Sequence, residues 1–267
     1  MEKINPKVLV LLVLIVFTHL IFNQNLQLHY DEAYYWVWSK NLQLSYYDHP
    51  PMIAYLIRLT TLFSNKEIFI RLAAVICSTT TIVMMYKTSK CLFNQKTADI
   101  TVVLALAWPL LEGTFFITTI DSPLLMFWSI TLYCLARGLI LGEKKFIYFS
   151  GIALGCALLS KYTAILILPG VLIFLLLTPS KRHLLWGKDV YFALLLAMLV
   201  FSPVIIWNYQ HDWVSFAFQF HHGVASDKQI NLAGLGDYIG SLLGAANPFI
   251  SIPLLVFIYI KRKQILH

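Results

Sequence analysis

The sequence predicts an all-α polytopic membrane protein, and three observations carry that prediction. First, 59% of the 267 residues are hydrophobic and only 12% are charged, against about 45–50% and about 25% in a typical soluble domain. So little charge cannot coat a water-soluble body of this size, and the mean hydropathy of +0.72 agrees. A soluble globular enzyme, a disordered chain and a disulfide-stapled secreted domain are thereby excluded. Second, apolar runs near the length of a membrane-spanning helix, about 20 residues, recur along the whole chain. Third, Lys and Arg are distributed unequally between the two sets of connecting segments.

The runs fall at about 8–22, 68–86, 98–117, 122–141, 146–160, 162–178, 189–207 and 238–260. The first has the length of a signal-peptide core. It leads into Asn23-Gln24-Asn25 with no small-residue cleavage site, so it reads as a retained helix. If the N-terminus is cytoplasmic, fourteen of the twenty Lys and Arg fall inside, among them Lys87, Lys90, Lys96, Lys144, Lys145, Lys181, Arg182 and Lys261. The positive-inside rule then sets that orientation. It also accounts for most of the net charge of +7, so nucleic-acid binding is not needed to explain it. Acids follow the opposite bias: Asp31, Glu32, Asp48, Glu67, Asp121, Asp212, Asp227 and Asp237 all fall outside. Acids contribute little to insertion, so a use for them on the outer face is expected. The four cysteines (Cys77, Cys91, Cys134, Cys156) show neither CxxC nor Cys/His spacing and read as reduced filler.

Two outer segments are long, about 23–66 and about 208–237. The first mixes acids with Tyr30, Tyr34, Tyr35, Trp36, Trp38, Tyr46 and Tyr47, rings that favour the membrane interface. It is expected to form one or two short helices lying along the surface, with Pro50-Pro51 breaking one and starting the next. The second carries Trp207, Trp213, Phe216, Phe218 and Phe220 before His221-His222.

Five features in these segments can carry chemistry, and each also has a plain structural reading. Asp31-Glu32 is a costly pair beside a membrane, or a solvated loop pair. Asp48-His49 precedes two prolines that would fix its backbone, or it is an ordinary turn. Asp121, before Ser122-Pro123, suits an N-cap. Lys161 lies between two apolar runs, where it can snorkel or hold a phosphate as a point charge. His221 and His222 are surface residues, or one of them shares a divalent cation with an acid. Together they place carboxylates, a lysine and histidines on one side of a helical membrane body. That set suits transfer to a hydroxyl, which needs a base, from a lipid phosphate, whose departure needs positive charge. A transporter or lipid flippase is the rival class, but its acids would lie near the bilayer midplane within repeats, and no repeat is present.

The stretches Asp31-Glu32-Ala33-Tyr34-Tyr35-Trp36, Tyr47-Asp48-His49-Pro50-Pro51, Thr119-Ile120-Asp121-Ser122-Pro123, Ser160-Lys161-Tyr162-Thr163 and Phe218-Gln219-Phe220-His221-His222-Gly223 resemble the bacterial branch of the protein O-mannosyltransferase-like glycosyltransferases. That group, family 39 and in part family 83, includes the lipid A aminoarabinose transferases. The resemblance implies a GT-C transmembrane helix bundle with amphipathic juxtamembrane helices in its first outer loop. It implies a polyprenyl-phosphate sugar donor, a lipid, glycan or protein acceptor, and inverting transfer on the periplasmic face of the bacterial inner membrane. Asp31 would then be the catalytic base, with Glu32 and Asp121 supporting it. Lys161 would bind the donor phosphate, and so would His49, which stands where some relatives carry lysine. Asp48 and His222, with His221 as the alternative to His222, would share a divalent metal ion. Two departures from the pattern stand out. Asp48-His49 replaces the Glu-Lys of the aminoarabinose transferases. Relatives are also usually longer, so the 267 residues are expected to form a single transmembrane module of about eight spans without the C-terminal part, as a fragment, a gene-split product or a shortened, even inactive, member.

Overall fold

The computed structural model describes residues 4–24 and 26–224, with 235–237, 240–241, 252 and 256 beyond them. Among the described residues the chain is helical and has no strand.

Helix α1 (Pro6–Asn23) begins where Asn5 accepts a hydrogen bond from the Lys7 N–H and Pro6 supplies a preset φ. Helices α2 (Tyr30–Lys40) and α3 (Met52–Thr60) occupy the first outer segment. They are followed by α4 (Glu67–Leu92), α5 (Gln95–Leu106) and α6 (Pro109–Phe116). Next come α7 (Asp121–Leu135), which runs on into a π-helical turn at Ala136–Ile140, and α8 (Lys144–Leu158). A 3₁₀ segment at Tyr162–Leu166 leads into α9 (Ile167–Leu177), and α10 (Lys188–Gln210) and α11 (Val214–Val224) complete the order.

Four helical runs are long and apolar enough to cross a membrane: α1, α4, α7 with its π turn, and α10. The expected span at about 98–117 is broken. α5 and α6 meet at 66°, because Pro109 lacks the N–H that would continue the ladder. α8 and α9 are shorter, at 15 and 11 residues, and the expected span at about 238–260 lies mostly outside the described residues.

The expected interfacial helices are present, but Pro50 does not end the first of them. α2 stops at Lys40. The Tyr46 hydroxyl lies 3.0 Å from the Trp38 carbonyl oxygen and 3.1 Å from that of Asn41, so it serves acceptors left open at the helix end. The Tyr46 ring stacks on Trp38 at 3.9 Å. Pro51 is the N-cap of α3. The next N–H, Met52, donates to the Leu159 carbonyl at 3.0 Å, which ties the loop before α3 to the C-terminal end of α8.

α8 and α10 approach closely because of two glycines. A Cβ at Gly151 would meet the Ala193 carbonyl oxygen at 2.1 Å, and one at Gly155 would meet the Ala197 carbonyl oxygen at 2.7 Å. The buried cluster beside this contact includes Leu154, Ala157, Leu158, Ala197, Phe201 and Val204. The turn from α10 to α11 puts Asp212 and Trp213 at φ 52° and 59°, a left-handed pair that costs energy for non-glycine residues. Buried Asn208 holds it. Its carbonyl accepts from the Trp213 N–H at 2.8 Å and its side-chain oxygen from the Phe216 N–H at 3.3 Å.

Candidate active site

The site begins with a buried ion pair that sequence reasoning did not find. Glu32 and Arg71 are 0% and 2% exposed. The Arg71 Nη2 and Nε donate to the two Glu32 oxygens at 2.9 and 3.1 Å. Arg71 also donates to the backbone carbonyls of Asn23, Leu26 and Gln27 at 2.6–2.8 Å. Glu32 in turn accepts from the His29 N–H at 2.9 Å and from the Thr118 N–H at 3.1 Å. Every strong acceptor and donor of the pair is therefore used, which is what keeps buried charges tolerable. The consequence is positional. One carboxylate ties the start of α2, which carries Asp31, to the turn before α7, which carries Asp121. Glu32 itself has no exposed surface, so it braces the site and does not face it. An arginine inside an otherwise apolar helix is the signal that would have revealed it.

Asp31 is the second residue of α2, just past the N-cap His29. It lines a cleft of about 610 Å³ together with His29, Thr119 and Asp121. The rest of that cleft is mostly apolar, with Met85, Trp108, Leu111 and Leu125 among its walls. Asp121 opens α7 as its first helical residue, and Ile120 is the N-cap. The capping reading of Asp121 is thus replaced by another job: its Oδ1 pairs with Lys161 Nζ at 2.8 Å. Lys161 stands between α8 and the 3₁₀ segment, at the point where the Met52–Leu159 hydrogen bond anchors the loop that holds His49.

Asp48 and His49 reach the same neighbourhood from that loop. The charges acting on His49 are those of Asp48, Lys161, Asp121 and Asp31. Burial, the largest influence, lowers its pKa from the ordinary histidine value, so His49 offers hydrogen bonds at neutral pH and not a positive charge. The Tyr34 hydroxyl lies 3.2 and 3.3 Å from the two Asp48 carboxylate oxygens. Its own pKa is raised by burial and by that carboxylate. α11 closes in from the other side. Gln219 Nε2 donates to the Asp48 carbonyl at 2.5 Å, and Phe218 packs on Tyr47 with ring centres 4.9 Å apart. Trp207 adds a hydrogen bond to Gln43 at 3.0 Å.

Asp31, Asp48, His49, Asp121 and Lys161 thus come to one locality. His221 follows on α11 and is exposed, and the side chain of His222 lies outside the described residues. No three His, Cys, Asp or Glu side chains converge as metal ligands among the described residues. The expected metal pair of Asp48 and His222 falls partly outside the described residues.

Comparison with known proteins adds the lineage. Residues 48–207 match the model of a family described as dolichyl-phosphate-mannose-protein mannosyltransferase, so Asp31 and Glu32 precede the matched stretch. The lipid A galacturonosyltransferase RgtD of Rhizobium johnstonii is 32% identical over 236 residues, covering 86% of this chain and 48% of that protein. ArnT from Cupriavidus metallidurans bound to undecaprenyl phosphate superimposes with a TM-score of 0.75 at 17% identity, over 94% of this chain and 50% of that one. Its apo form gives 0.70 at 18% identity, over 91% and 49%. The fold is accordingly the GT-C helix bundle that the sequence motifs implied, and the chain spans about half the length of these relatives.

Proposed function

This chain belongs to the dolichyl-phosphate-mannose-protein mannosyltransferase family, and from that premise we propose that it is a membrane glycosyltransferase. It moves a sugar from a polyprenyl-phosphate donor to a hydroxyl of a lipid acceptor, of which lipid A is the class favoured by the similarity to RgtD. The transfer takes place on the periplasmic face of the inner membrane. The observation that supports this reading most is the placement of Asp31 and Asp121 in the lining of a largely apolar cleft, with Lys161 held on Asp121. An apolar groove with acids in its wall and a lysine paired to one of them matches a lipid tail followed by a phosphate and a sugar.

In this mechanism the acceptor hydroxyl gives its proton to Asp31 while its oxygen attacks the anomeric carbon. The bond from that carbon to the phosphate oxygen breaks on the opposite side, so the sugar inverts. The electron pair goes to the phosphate, where Lys161 offsets the growing charge. Asp121 keeps Lys161 extended into the site before donor arrives. Neutral His49 contributes a hydrogen bond to the phosphate and no charge. Glu32 acts through position, by holding the first turn of α2 and the turn before α7 together.

The test is Asp31→Asn in proteoliposomes supplied with polyprenyl-phosphate galacturonic acid and lipid A, with product followed by mass spectrometry. A general base contributes about 10²–10⁴ in rate, so turnover should fall by at least about 10² while membrane insertion stays normal. Wild-type turnover in Asp31→Asn removes the assignment.

A further inference from the structure

His29 is absent from the motifs above, yet it contacts Asp31 directly. It is the N-cap of α2, and its Nδ1 accepts from the Asp31 N–H at 3.4 Å. An accepting Nδ1 carries no proton, so the ring proton is on Nε2. The same Nδ1 is 3.6 Å from Asp31 Oδ2, which brings two proton acceptors side by side. Both side chains are a little over a third exposed, at 38% and 37%, and both line the cleft. The ring leans on Tyr30 with centres 4.0 Å apart. The other charged groups facing His29 are Glu32, which takes its backbone N–H and is neutralised by Arg71 behind it, and Asp121, which lines the same cleft.

We propose that His29 is a positioning residue that also takes up the proton collected by Asp31. This deepens the reading of Asp31 as base and rests on it. Glycosyl transfer from a lipid phosphate leaves one proton behind: the acceptor loses an O–H bond and gains a C–O bond, and the departing phosphate keeps the electron pair. Asp31 holds that proton first. Passing it to Nδ1 regenerates the carboxylate and leaves the ring a cation; that Nδ1 proton then leaves to the water that reaches the exposed ring, which restores the Nε2–H tautomer and the cap on α2. No oxidant or further reactant is needed. While Nδ1 is free it caps α2; once protonated it becomes a donor toward Asp31 Oδ2, so each turnover exchanges one contact of the ring for the other.

The experiment compares His29→Asn with His29→Ala in the proteoliposome assay, using polyprenyl-phosphate galacturonic acid and lipid A. Asparagine keeps an N-cap acceptor but cannot carry a proton. The expected result for His29→Asn is an unchanged melting temperature and donor KM, with kcat lower by about 100-fold, the low end of what a positioned proton-transfer group supplies. The acid limb of the pH–rate profile should change, and added imidazole should restore part of the rate. His29→Ala should lose melting temperature as well. Wild-type kcat and pH profile in His29→Asn overturn the proposal, and so does a rate loss that imidazole does not relieve and that follows a lowered melting temperature. Asp31→Asn separates the two claims. If it is inactive while His29→Asn is fully active, only the proton relay fails; if it is active, the reading of Asp31 fails and the relay with it.

Discussion

Glu32 and Asp31 are neighbours in sequence with opposite fates. Asp31 is the second residue of its helix and Glu32 the third, and that single step turns one carboxylate toward the cleft and the other into the protein. The inward one meets Arg71, which is 39 residues away. Adjacent acids near a membrane could be read from the sequence as unusual, but not as divided between two jobs. The division depends on where α4 packs, and nothing local to residues 31 and 32 specifies that. The brace gives a direct prediction. Removing one partner of a buried, fully bonded pair typically costs about 3–5 kcal/mol. Arg71→Met should therefore lower the melting temperature of the purified protein by many degrees and reduce transfer through misplacement of Asp31. Lys161→Met, which removes one partner of a partly exposed pair (30% and 48% exposed), should leave the melting temperature nearly unchanged while reducing turnover. Equal thermal losses in the two variants would contradict the distinction between brace and site.

At the level of elements, hydropathy located the long spans to within a few residues, because burial in lipid demands unbroken apolar length. It missed the bend between α5 and α6, although Trp108-Pro109 marks it, since an apolar run reads the same whether the helix is straight or folded. It also placed the end of α2 about ten residues late. That end is made by the hydroxyl of Tyr46, a tertiary contact with no local signature. The tight contact between α8 and α10 is another feature set by glycines whose spacing alone did not announce it. Because α8 ends just before Lys161, this contact also determines where the lysine stands. A methyl at Gly151 would collide with a backbone oxygen that cannot rotate away. Gly151→Ala should thus lose about 1–3 kcal/mol through overpacking, visible as a lower melting temperature and a reduced rate. Gly170→Ala in α9 is the control: nothing lies within 4 Å of its added Cβ, and alanine favours the helix, so its stability should stay level or rise.

On the scale of the whole molecule, the half of the relatives' length that this chain spans carries the acids, the lysine and the apolar cleft together. The five motifs made that gathering legible in the sequence, since they lie about 10 to 70 residues apart yet all fall in segments assigned to one face. What they could not supply was the order of contact, in particular that Lys161 pairs with Asp121. The face itself is predicted from charge. A cytoplasmic N-terminus puts Arg182 and the segment around it inside, and Lys66, between α3 and α4, outside. Both positions are exposed, so each accepts a single cysteine without disturbing the core, once Cys77, Cys91, Cys134 and Cys156 are replaced. In spheroplasts, a membrane-impermeant maleimide should label Lys66→Cys at once and Arg182→Cys only after the membrane is opened. Labelling in the reverse order would turn the cleft toward the cytoplasm. The polyprenyl-phosphate sugar would then have to be used on the face where such donors are assembled, and a periplasmic transfer would be untenable.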